Sequence, residues 1–319
     1  MHQMSNSRRR FLRGTLGIAA GMTAGVFSRS LIAGGLACAD TSSSVTASGP
    51  RIPRAPLFCT AYITPDAPGQ EGQESAVARY PLAIVPQNSR PLFMRWRDKV
   101  RSLNPEIVLL GYQMVIQHPR AQGPGNTILR QSRSYAVYPW GTVPTVPGEY
   151  PGARDKIYDP RSPQWQDLFL EACRATLNSY PFDGLFLDQC TVFFKASPIP
   201  HVRQEMRAAL QTTLIRLRNE FPNVILVGNS AYNWEGLNGE MDEGRLDDMA
   251  YQFAPFPGHV KPYINMYQSV LKRADDIETV KRQMATAFRY GAYYGAAVNY
   301  QHVLWFDAFD RVLEEYRST

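Results

Sequence analysis

Asp188 closes an apolar run, Gly184-Leu185-Phe186-Leu187, that opens on a turn at Phe182-Asp183. Such a run reads as a buried parallel strand, and a carboxylate at its C-terminal end faces the mouth where parallel α/β barrels build their sites. A second acidic cluster, Gly239-Glu240-Met241-Asp242-Glu243, follows two strand units later. Two carboxylates across one mouth suit cleavage of a glycosidic bond. One protonates the leaving oxygen, and the other attacks the anomeric carbon or activates water. Strand alternation puts Gly184, Phe186 and Asp188 on one face, so Asp188 points into the mouth and Asp183 lies at the opposite end as a turn residue. Glu243 is the expected partner, with Glu240 and Asp242 as open alternatives. Whichever it is, the two environments must hold the pKa values apart.

Other strand ends supply polar groups for a substrate. Gln87, Tyr112, Gln113, Asn229 and Asn299 each stand where an apolar run stops. Asn229 could hydrogen-bond a sugar hydroxyl or close an Asx-turn, and Tyr112 could bind sugar or cap the core. Trp140 and Trp234 lie in long loops rather than apolar runs, which makes them candidate platforms for sugar stacking. From Glu235 to Asp248 there are six acids and one base, Arg245. That reads as a solvated loop or as an environment suited to a cationic amino sugar. His118, His201, His259 and His302 are scattered without paired spacing, so neither a metal nor another cofactor is expected.

These residues need elements to hold them. From Tyr80 onward, apolar runs alternate with helical patterns, the signature of βαβ units around a parallel sheet. Strands are expected at Leu82–Val85, Ile107–Tyr112, Ser134–Tyr138, Gly184–Asp188, Val224–Val227, Glu240–Glu243, Tyr263–Tyr267 and Ala296–Asn299. Helices are expected at Trp96–Leu103, at Ser162-Pro163 onward with Ser162 as N-cap, at His201–Phe221, Ile277–Tyr290 and Phe309–Tyr316. Leu57 to Ala78 reads as irregular covering chain. The fold expected is an α/β (β/α)8 TIM barrel, one domain over residues 57–319, with a Ser/Thr/Pro-rich spacer over 40–56.

The formal charge of +6 is an N-terminal effect. The first 39 residues hold five arginines and no acid, leaving 29 basic against 28 acidic residues. Nothing in that balance calls for nucleic acid or an anionic membrane. Ser7-Arg8-Arg9-Arg10-Phe11-Leu12-Arg13 matches the twin-arginine export pattern, a weakly apolar stretch follows over Leu16–Phe27, and Ala37-Cys38-Ala39 supplies a small-x-small cleavage site. Cys38 could instead anchor a lipoprotein, although Gly35 stands where that motif takes Leu. The stretch is too short and glycine-rich for a stable membrane span. Residues 1–39 therefore read as a signal peptide, with the twin-arginine translocase as partner and the periplasm or exterior as destination. Twin-arginine substrates cross folded, so Cys59, Cys173 and Cys190 would meet a reducing compartment first. Buried free thiols or a Cys173–Cys190 bridge both fit.

Phe182–Asp188, preceded by Asn104–Tyr112 and Asp159–Trp165 and followed by Val224–Ser230 and Gly239–Gly244, resembles the hypothetical TIM-barrel glycoside hydrolases similar to endo-α-1,4-polygalactosaminidases. The resemblance spans roughly Tyr80 to Asp310. It implies Asp188 at the end of the fourth strand as nucleophile or base, and Glu243 at the end of the sixth as general acid. Two departures stand out. Asp242 replaces an apolar strand residue, and Trp305-Phe306-Asp307-Ala308 carries Ala where an acid is often found. The expectation is an exported glycoside hydrolase acting on a polysaccharide or oligosaccharide. The alternative is a catalytically silent barrel that binds glycan. A metal-dependent deacetylase is disfavoured by the histidine spacing.

Overall fold

In the computed structural model, β1 (Phe58–Thr60), β2 (Leu82–Val85), β3 (Val108–Met114), β6 (Gly184–Asp188), β7 (Ile225–Asn229), β8 (Gly239–Glu243), β9 (Met266–Leu271) and β10 (Tyr293–Val298) form one eight-stranded sheet in that spatial order. Every neighbouring pair is parallel. A parallel bridge between Leu57 and Tyr294 brings the last strand back to the first. The chain is a (β/α)8 TIM barrel. The structure describes residues 57–61, 73–86, 89–117, 123–131, 137–139, 142, 156–190, 197–229, 233–243, 256–271, 273, 276–298, 309–310 and 312–314. All of them belong to one compact unit, Ala47–Thr319.

Side-chain alternation sorts the strands into an inner and an outer face. Leu82, Ile84, Val108, Leu110, Phe186, Ile225, Val227, Met241 and Met266 fill the barrel, two residues apart wherever a strand supplies a pair. Their outward neighbours, among them Ala83, Leu109, Leu185, Leu187 and Leu226, pack under the helices. Those helices are α1 (Gln73–Val77), α2 (Arg90–Leu103), α3 (Pro124–Gln131), α4 (Pro163–Ser179), α5 (Pro200–Glu220) and α6 (Ile277–Arg289). Helix α4 begins as its sequence dictates. Pro163 sits in the first turn and the Ser162 hydroxyl accepts the Trp165 N–H at 3.3 Å. Trp165, Phe169 and Cys173 then face the sheet.

Two sequence expectations change, and they offset each other. The segment expected as covering chain contains β1, which starts the barrel. The expected third strand instead contributes β4 (Val137–Pro139), which pairs antiparallel with β5 (Lys156–Tyr158) in a separate two-stranded sheet. Asp188 therefore still ends the fourth barrel strand and Glu243 the sixth. Backbones approach closely at the start of β6, where a Cβ on Gly184 would lie 2.1 Å from the Ile225 carbonyl oxygen. No described segment between β7 and β8 is helical. Trp234 and Leu237 occupy the helix layer there, packing with Leu210, Leu214 and Leu217 of α5 over the space left by Gly228.

The base of that connection is tied by Asn238. Its Oδ1 accepts from Arg218 Nη2 and from the Leu226 N–H, both at 2.7 Å, and its Nδ2 donates to the Val260 and Pro262 carbonyls at 3.2 Å. Arg218 also donates to the carbonyls of Gly236, Phe221, Pro222 and Val224. A guanidinium with no carboxylate partner among the described residues is thus satisfied by backbone oxygens, including those at the C-terminus of α5. The three cysteines Cys59, Cys173 and Cys190 are free and buried. Among the described residues, no helix is long and apolar enough to cross a membrane.

Candidate active site

Asp188, Asn229 and Glu243 close three adjacent strands, and all three share the face of Phe186, Val227 and Met241 that fills the barrel. They are the inward-facing C-terminal residues of strands four, five and six. Asn229 joins the two acids. Its Nδ2 donates to Asp188 Oδ1 at 2.7 Å and to Glu243 Oε1 at 3.3 Å. Those two carboxylate oxygens are therefore no farther apart than the sum of the two distances, about 6 Å.

Asp188 is 6% exposed and carries three donors. The Tyr112 hydroxyl donates to Oδ2, while Asn229 Nδ2 and the Gln189 N–H (2.8 Å) donate to Oδ1. Burial pushes the Asp188 pKa above the usual carboxylate value, and Tyr112, Asn229 and the backbone and side chain of Gln189 pull against that shift. Gln189 is held at φ +63°, a left-handed conformation that a residue with a Cβ adopts at a cost of about 1–3 kcal/mol. That turn aims the Gln189 N–H back at Asp188. Glu243 is exposed at the rim. One acid lies deep and clamped, and the other is open to solvent.

The other two acids of the cluster face outward. Glu240 is buried, and its Oε1 accepts the Trp234 N–H at 2.5 Å with His259 Nε2 at 3.5 Å. It holds the β7–β8 connection in place and does not face the mouth. Asp242 also lies on the outer face. Its Oδ2 has no hydrogen-bond partner among the described residues, and burial raises its pKa to about 6. Asp183, at the opposite end of β6, pairs with Arg101 at 2.8 Å and accepts the Leu109 N–H at 2.8 Å.

Two expected substrate contacts do not reach the mouth. Gln113 is fully buried on the outer face of β3, donating to Asn126 Oδ1 at 3.1 Å and accepting from Thr176 Oγ1 at 3.0 Å. Tyr112 and Gln113 are consecutive on a strand, so only one of them can face inward, and it is Tyr112. Trp234 is 1% exposed and packs in the helix layer, which leaves no open ring for a sugar. Gln87, Trp140 and Asn299 lie outside the described residues. Among the described residues, no group of three His, Cys, Asp or Glu side chains is placed to hold a metal ion.

Gln268 is the mouth residue that sequence reading missed. It is the cross-strand partner of Glu243, and Met266 two residues earlier fixes its side as the barrel interior. A strand end placed four residues later than expected would have revealed it.

No protein-family model matches the chain, and no curated protein matches it in sequence. Solved structures do match in fold. The glycoside hydrolase domain of PelA from Pseudomonas aeruginosa superposes with a TM-score of 0.52 at 14% identity, covering 79% of this chain and 98% of that one. A glutamate-to-alanine variant of the same domain gives 0.52 at 13% identity with the same coverage. The cyclic α-maltosyl-(1→6)-maltose hydrolase of Arthrobacter globiformis matches at a TM-score of 0.48 and 11% identity, covering 84% of this chain and 82% of that one. At these identities the likeness concerns the fold, a TIM barrel.

Proposed function

We propose that this chain is a glycoside hydrolase that cleaves a polysaccharide with retention of anomeric configuration. The observation that carries the reading is the Asp188–Asn229–Glu243 bridge. Retaining enzymes hold their carboxyl groups about 5–5.5 Å apart, whereas inverting enzymes leave about 6.5–9.5 Å for a water. Facing oxygens within about 6 Å of each other favour the retaining arrangement. Asp188 is the nucleophile, because its three donors fix the direction of its lone pairs on the barrel floor. Glu243, at the solvent rim, protonates the leaving oxygen and then deprotonates the water that releases the glycosyl-enzyme.

The PelA domain, named a glycoside hydrolase, supports the assignment by fold. The resemblance of Phe182–Asp188 and its flanking blocks to polygalactosaminidase-like enzymes makes a galactosamine-containing polymer the first substrate to try. Of the acids described between Glu235 and Asp248, Glu243 faces the mouth, and its carboxylate agrees with a cationic sugar. The Ser7–Arg13 motif and the Ala37-Cys38-Ala39 site support twin-arginine export to the periplasm or beyond. Proton NMR of the first-formed product tests the mechanism. Retention is expected, with activity of Asp188→Ala partly restored by azide. An inverted first product would overturn it.

A further inference from the structure

The mouth has a second side. Strand β10 lies directly opposite β6 in the barrel order, flanked by β9 and β1. The inward-facing residues near their C-terminal ends are Gln268, Gly295, Ala297 and Thr60. With Phe58 they line a cavity of about 10 Å³, the smallest space that holds one water. The Phe58 ring lies against Gly295, where a Cβ would come within 2.6 Å of it. Gly295 therefore lets the aromatic floor lie flat, and the small Ala297 leaves room beside it. Neither Thr60 nor Gln268 makes a side-chain hydrogen bond among the described residues. Gln268 pairs in register with Glu243, so this cavity adjoins the reacting centre.

We propose that Thr60 and Gln268 form a subsite for one neutral hydroxyl of the sugar ring held between Asp188 and Glu243. The inference rests on the hydrolase reading above. A carboxamide and a hydroxyl each donate and accept, which suits another hydroxyl. No charged side chain lines the cavity, so an ammonium or carboxylate substituent would enter unpaired at a large desolvation cost. A space the size of one water takes a single heavy atom, which rules out an acetamido group. Thr60 and Gln268 thus select the sugar by one substituent position. They bind and orient it without entering the acid/base chemistry.

The test uses whichever polysaccharide of a broad panel the wild-type protein cleaves, with kcat/KM read from reducing ends. Thr60→Val and Gln268→Leu are each expected to lower kcat/KM about 10-fold with unchanged Tm, the effect of one neutral hydrogen bond lost to substrate. Because both side chains hold one hydroxyl, the double variant should lose only slightly more than either single, about 10–30-fold in place of 100-fold. Thr60→Ser, which keeps the hydroxyl, should stay near wild type. Wild-type rates in both single variants would overturn the subsite while leaving the hydrolase intact. So would losses that multiply in the double variant with Thr60→Ser no better than Thr60→Val. No cleavage of any polymer by the wild type would overturn the hydrolase reading and the subsite with it.

Discussion

Replacing Asn229 with alanine removes one of three donors from a buried carboxylate, and the consequence can be worked out in sign and size. Burial already raises the Asp188 pKa, and the Asn229 N–H is one of the groups opposing that rise. Without it, the ionised form loses a hydrogen bond worth about 1.5–3 kcal/mol, the range for bonds to charged groups. The Asp188 pKa should therefore climb further. A nucleophile must be ionised. The acidic limb of kcat/KM should therefore move to higher pH, and activity on the falling limb should drop about 10–100-fold. Stability supplies a second readout that needs no substrate. The loss in Tm should be largest at pH 8, where the under-paired carboxylate is charged, and should shrink toward acid pH, where the protonated group needs fewer donors. The assay is kcat/KM and Tm across pH 4–9 for wild type and Asn229→Ala. An unmoved acidic limb, with losses spread evenly over pH, would refute the clamp.

Three further outcomes follow from the geometry. Asp242 has a folded-state pKa of about 6, above its unfolded value, so its burden on stability is absent below the unfolded pKa and grows as pH rises through about 6. Asp242→Asn should raise stability by about 1–3 kcal/mol at pH 7–8 and by almost nothing at pH 4, measured by denaturant unfolding. Asn238→Ala leaves the Leu226 N–H and one face of the Arg218 guanidinium unpaired, and should cost about 3 kcal/mol by the same assay. In Gly184→Ala the new Cβ meets backbone rather than a mobile side chain, so thermal melting should show a loss of about 3 kcal/mol.

Period-two alternation made the centre of the site legible. The apolar run before Asp188 put that acid on the inner face, whereas the choice among Glu240, Asp242 and Glu243 stayed open until the structure set Met241 inward and Asn229 between Asp188 and Glu243. Alternation also rules out pairing Tyr112 with Gln113 at the mouth, a constraint that polar residue type alone does not convey. Strand β1 escaped notice because three residues, followed by a stretch with Pro65, Pro68, Gly69 and Gly72, carry no periodic signal. Val137 and Tyr138 do form a strand, but its sheet membership depends on long-range pairing with Lys156–Tyr158. Trp234 reads as a loop tryptophan, yet it packs in the helix layer beside Leu237, which fills the space left by Gly228. Gln268 stayed hidden because β9 carries Tyr267 and Ser269 outward and Gln268 inward, so its two faces differ little in polarity. In each case, what the local pattern lacked was the identity of the neighbouring strand.

The most direct test of the central claim is reducing-end release from a polysaccharide panel that includes galactosamine polymers, comparing wild type with Asp188→Asn. The account predicts release by the wild type and none by the variant, with the variant still folded. Equal release by both would show that Asp188 is not the catalytic carboxylate. Release by neither, with binding to one polymer retained, would make this barrel a glycan-binding protein rather than an enzyme.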